Sequence, residues 1–179
     1  MADGRASWLW LMRGLYVLLG LIIIFFQLLP LETLPRRWAG PDLLIVMTFA
    51  WALRRPDYVP MYTVAPVMLL ADLMFQRPPG LWAALVLIAN EWLRARDRRQ
   101  RETAFAVEWL TVALVLVGIV MLNRIILTLT VVPTSPLFLI TMQTLFTIAV
   151  YPLVVLVSRL LFGVRRIAPG ELDPGRWRP

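Results

Sequence analysis

Polar residues along this chain gather in clusters, and the apolar residues fill the blocks between them. The blocks run Trp8–Leu29, Asp42–Leu53, Tyr58–Phe75, Leu81–Leu93, Thr103–Val131 and Leu137–Phe162. At ~1.5 Å per helical residue the first block reaches ~33 Å, enough for a ~30 Å hydrocarbon core. The pattern predicts an all-α polytopic membrane protein with six transmembrane helices. Residues 1–162 form one helical membrane domain, and residues 163–179 form a polar tail.

The second block is the weakest span. Its 12 residues give only ~18 Å of helix. Asp42 after Pro41 reads as a helix start, because a carboxylate there meets unsatisfied N–H groups. The segment is either a short crossing or a re-entrant piece covered by protein. Proline marks other blocks. Pro60 and Pro66 lie inside the third, and Pro152 lies inside the sixth. A proline inside a helix removes one backbone donor and kinks the helix.

Charge then sets orientation. Net charge is +7, and all 18 basic residues are arginine. They alternate with hydrophobic spans, which points to membrane orientation and anionic-lipid contact, and away from nucleic acid. The strongest signal is the loop carrying Arg94, Arg96, Arg98, Arg99 and Arg101 against Asp97. The positive-inside rule makes this loop cytoplasmic, together with the C-terminal tail. Six spans also place the N-terminus inside. Five spans, with 42–53 re-entrant, place it outside. Arginine counting does not choose, since four arginines sit outside either way. The close flanking of the first span by Arg5 and Arg13 favours six. That span has no small-residue cleavage site after it, so it reads as a retained helix.

Ionisable and amide side chains at membrane depth are the candidate functional residues, because burying them without partners is costly. Asp72 lies near the outer end of the third span, and Asn123 and Arg124 lie toward the outer end of the fifth. Asp72 is expected to pair with Arg124, or with Arg77 at the following turn. Glu108 lies about one turn inside the fifth span, with Asn90 and Glu91 at matching depth on the fourth. Surrounding arginines make interfacial snorkelling the expected state of both carboxylates. Thr141, Thr144 and Thr147 recur at a spacing that forms one packing stripe.

Chemistry has little to work with. The chain holds no cysteine and no histidine. Disulfides, thiol chemistry, haem ligation by those residues and His- or Cys-based zinc sites are excluded. No P-loop or dinucleotide fingerprint is present, and no lysine exists for a Ser–Lys pair. The expectation is a non-enzymatic protein without cofactor or metal.

Between the second and fourth blocks the sequence resembles a known family. The residues are Pro41-Asp42-Leu43-Leu44, then Arg54-Arg55-Pro56-Asp57, then Ala71-Asp72-Leu73-Met74-Phe75-Gln76-Arg77-Pro78-Pro79-Gly80-Leu81. They resemble the bacterial rod shape-determining protein MreD, which often shows Asp-Leu-Leu, a polar turn and Pro-Leu-Gly. Here Pro79 stands for the usual leucine, and no glycine separates Asp72 from Pro78. The resemblance covers roughly residues 8–162. It implies a component of the cell-elongation machinery in the bacterial inner membrane. The implied partners are an MreC-like protein and, through it or directly, the MreB filament, a RodA-type glycosyltransferase and a class B transpeptidase. The implied fold is similar to the S components of energy-coupling-factor vitamin transporters. That similarity supplies the alternative reading, a solute-binding membrane subunit. The family has no established catalytic residues to carry over.

Overall fold

The computed structural model describes residues 2–29, 39–99, 104–132 and 136–164, with side chains described from Ser7 and, in the second segment, up to Asp97. Arg101, the side chains of Arg5, Arg98 and Arg99, and the link holding Arg36 and Arg37 lie outside the described residues, as does the tail from 165.

The described residues form six α-helices: α1 (Ala2–Leu28), α2 (Leu43–Arg54), α3 (Met61–Met74), α4 (Leu81–Arg99), α5 (Phe105–Leu129) and α6 (Leu137–Phe162). A single 3₁₀ turn, Pro56–Tyr58, joins α2 to α3. Described residues contain no strand.

Local chemistry sets the helix ends. Asp42 caps α2 as expected, its Oδ1 accepting from the Ile45 N–H at 3.3 Å. Pro60 sits just before α3 and not within it. Its carbonyl accepts from the Thr63 backbone at 2.9 Å and the Thr63 hydroxyl at 2.8 Å. Pro66 and Pro152 do lie inside helices. Pro152 has no N–H for the Ile148 carbonyl one turn back. The Trp109 indole of α5 donates to that carbonyl at 2.9 Å, so the helix pair repairs its own defect. Three helices end in left-handed residues: Gln76 after α3, Val131 after α5 and Gly163 after α6. In each, the next N–H reaches back to the last turn, five residues for Arg77 to the Asp72 carbonyl at 3.0 Å and for Val132 to Leu127, and six for Val164 to Ser158.

The contacts fix the direction of each helix. Tyr16 of α1 meets Thr48 of α2 at 2.8 Å, Gly20 lies against Leu44, and Trp8 reaches Tyr58 beyond the far end of α2. So α1 and α2 run antiparallel. The start of α4 meets Asp72 near the end of α3, and its other end meets Pro56 and Val59. Glu108 near the start of α5 meets Arg54 at the end of α2. Along α6, Thr147 meets Asp42 and Ser158 meets Trp51. Successive helices therefore alternate in direction. One end of the bundle holds Trp8, the Pro56–Tyr58 turn, Arg94 and Gly163. The other holds Leu28, Asp42, the Gln76–Gly80 turn and Leu137.

Burial sorts the helices into two kinds. Eleven of the twelve residues of α2 are buried, including Phe49 and Trp51. A helix apolar all round belongs inside a protein or a membrane, and here α1, α4 and α6 enclose it. By contrast, only 17% of the spanning window is buried in α5 and in α6. Leu114, Leu129, Leu145, Leu160 and Leu161 stand outward there. An apolar surface of that extent is an aggregation hazard in water and a lipid contact in a bilayer. Among the described residues three helical segments are long and apolar enough to cross a membrane: Ser7–Leu28, Phe105–Leu129 and Leu137–Phe162. The other three are shorter or charged at one end, so three of the six expected spans have the length and composition to cross on their own. The fourth block also extends further than its apolar stretch suggests: α4 continues through the arginine cluster to Arg99.

Candidate functional site

The two ends of the bundle are built differently, and the polar residues singled out in the sequence divide between them.

At the Arg94 end two buried arginines, Arg54 and Arg94, are each tied to a carboxylate and to backbone carbonyls. Glu108 is buried and not snorkelling, contrary to expectation. Its Oε1 lies 2.8 Å from Arg54 Nη1 and accepts from the Tyr151 hydroxyl at 2.5 Å. Arg54 also donates to the Ala50 carbonyl at 3.2 Å and to the Tyr151 oxygen at 3.4 Å. Phe105 stacks on the Tyr151 ring with centroids 6.4 Å apart. Neither Arg54 nor Tyr151 stands out in the sequence as a buried polar residue, because the partners of each come from two other helices.

Arg94 is likewise not a free loop cation. It is buried on α4, bonded to Glu91 Oε1 at 2.9 Å and to the Pro56 carbonyl at 2.8 Å, and it also donates to the Val59 carbonyl. Its guanidinium ties α4 to the link between α2 and α3. From α1, Arg13 donates to the Asp57 carbonyl of the same link at 3.1 Å. Arg96 packs over the Trp92 ring at 5.6 Å. Asn90, one turn before Arg94, is wholly buried, and its side-chain amide has no hydrogen-bond partner.

At the opposite end Asp72 does not form the expected ion pair. It is wholly buried, and its Oδ2 accepts from the N–H groups of Gly80 at 3.1 Å and Ala83 at 3.0 Å. It caps the first turn of α4 across the Phe75–Gly80 connection. A carboxylate at a helix N-terminus satisfies orphan donors and opposes the positive end of the helix dipole. Gly80 sits at φ 85°, a conformation that side-chain-bearing residues rarely adopt, and this lets its N–H reach Asp72. Arg77 instead faces Asp42, with 3.9 Å between Nη1 and Oδ2. Its guanidinium lies over the Phe75 ring at 5.2 Å and the Trp82 ring at 5.3 Å.

Beside this pair is a cavity of ≈ 790 Å³. It is bounded by the ends of α1, α3 and α5 and by the starts of α2, α4 and α6. Asp42, Arg77, Asn123 and Arg124 line it, together with Gln143 and Thr144. Three of the four polar residues that the sequence placed at the ends of the third and fifth spans thus share one space; Asp72 lies outside it. Of the threonine stripe on α6, Thr147 alone is buried, and its hydroxyl oxygen accepts from the Asp42 N–H at 2.9 Å. Thr141 and Thr144 donate to carbonyls of their own helix. Among the described residues no cluster of metal-ligating side chains forms.

No protein-family model, curated protein or solved structure matches this chain.

Proposed function

We propose that this protein is a non-enzymatic inner-membrane component of the cell-elongation machinery, supporting rod shape and lateral peptidoglycan synthesis by packing against an MreC-like partner. In this reading the arginine-rich end faces the cytoplasm and the cavity end faces outward. All six helices traverse the bilayer, with α2 and α3 reaching across as short helices inside a protein envelope. The observation that carries the reading is the folding of the resembling segment, residues 41–81, into one connected unit. There Asp42 caps α2, and Asp72 caps α4 across the Arg77-Pro78-Pro79-Gly80 turn. In this reading the family-like residues serve as a helical scaffold. Outward leucines on α5 and α6 supply a surface on which a partner's transmembrane helix can pack, with affinity from close contact and few polar bonds.

Co-purification from native membranes tests this. Recovery of an MreC-like protein supports the scaffold role. The cavity favours a second reading, a solute-binding subunit of an energy-coupling-factor transporter. Recovery of ATPase subunits would support that reading and displace the first.

A further inference from the structure

A cavity of ≈ 790 Å³ is within the size range of small-molecule sites, roughly 300–1,000 Å³. Its wall is mixed, with polar and apolar surface in nearly equal parts. Leu116, Val120, Leu127, Leu139 and Ile140 give the apolar part.

The polar part centres on Arg77. Two aromatic faces, Phe75 and Trp82, hold its guanidinium. Cation–π contact orients the group without consuming its N–H donors. Its one ion-pair contact, to Asp42, is long at 3.9 Å, and about a third of its side chain remains accessible. A guanidinium so placed presents donors in a planar fork, the geometry that matches carboxylate and phosphate oxygens. Asp42 cannot readily swing closer, because its other oxygen caps α2 and its N–H is held by Thr147.

We propose that this cavity binds the oxyanion head of an amphiphile, a phosphodiester or carboxylate on an apolar body, with Arg77 as the anchor and Asp42 as the competing anion. The shared chemistry fits a bilayer lipid or a soluble molecule. The site rests on the cavity geometry, so it goes beyond the scaffold reading and does not depend on it.

Two substitutions of opposite sign test it. Arg77→Gln removes the anchor. Asp42→Asn removes the competing charge while keeping a capping oxygen for α2. The protein is reconstituted in phosphatidylcholine nanodiscs with and without phosphatidylglycerol, and retained lipid is counted by native mass spectrometry. In parallel, detergent-solubilised protein is titrated with dibutyl phosphate, a soluble phosphodiester, and its thermal shift is followed. Circular dichroism verifies that each variant is folded, and Arg77→Lys serves as a partial rescue. The expected result is selective retention of one phosphatidylglycerol, or saturable stabilisation by dibutyl phosphate. Arg77→Gln weakens it on the order of tenfold or more, and Asp42→Asn strengthens it. Lipid retention alone assigns a membrane lipid, and the soluble response alone assigns a free solute. The proposal is overturned if neither probe binds, or if the two variants shift binding in the same direction. Co-purification with an MreC-like protein can succeed or fail independently of every one of these outcomes.

Discussion

The two ends of this bundle carry similar residues to opposite effect. Each brings an arginine to a carboxylate. At one end Arg54 and Glu108 are both buried, 2.8 Å apart, and joined by the Tyr151 hydroxyl. At the other, Arg77 and Asp42 stand 3.9 Å apart at the wall of a cavity, with Arg77 partly accessible. The first pair is buried and bonded to protein groups on three helices. The second has capacity left for something else. The difference separates an end that holds the fold together from an end that can bind.

Removing one partner shows the contrast most strongly. Glu108→Ala strands the Arg54 charge inside the protein and is expected to cost about 3–5 kcal/mol. Thermal unfolding in detergent measures it. The double substitution Arg54→Met with Glu108→Leu replaces the pair with apolar bulk and is expected to recover most of that loss. Arg77→Met, at the other end, is expected to cost no more than ~1 kcal/mol, as a partly exposed, long ion pair should. Equal losses at the two ends would erase the distinction.

A smaller loss is expected at the turn before α4. Asp72→Ala leaves the Gly80 and Ala83 N–H groups without their acceptor. The cost is about 1–2 kcal/mol, as for a lost helix cap. Asp72→Asn, which keeps an acceptor oxygen, should lose less. If both variants unfold alike, the charge and not the cap is what matters.

The smallest effect has the opposite sign. Val131 ends α5 at φ 56°, and its side chain is almost wholly exposed. A β-branched residue in that conformation is strained by about 1–2 kcal/mol. Part of the relief is offset by the chain entropy of glycine. Val131→Gly should therefore raise the melting temperature slightly, by up to about 1 kcal/mol of stability. A decrease would show that the Val131 side chain makes a stabilising contact.

The sequence revealed elements better than ends. The apolar block Leu137–Phe162 became α6 with unchanged bounds, and Asp42 became the cap that its position after Pro41 implied. These features depend on neighbours within a few residues. Arg94 misled because a run of arginines reads as a solvated face, yet its partners are carbonyls of Pro56 and Val59, far back along the chain. Glu108 misled for the same reason, since Arg54 and Tyr151 come from α2 and α6. Asp72 was read as half of an ion pair because its charge was visible and its backbone partners were not. The cavity was least legible of all. Six helix ends contribute to it, and no local pattern encodes where helix ends leave space.

The central claim is that the arginine-rich end faces the cytoplasm and the cavity end faces the outside. The native chain has no cysteine, so single-cysteine labelling reads this without background. Ala95→Cys marks the exposed surface of α4 beside Arg94, and Thr144→Cys marks the cavity wall. A membrane-impermeant maleimide applied to intact spheroplasts should label Thr144→Cys and spare Ala95→Cys until the cells are lysed. Labelling of Ala95→Cys in intact spheroplasts, with Thr144→Cys protected until lysis, would contradict the account.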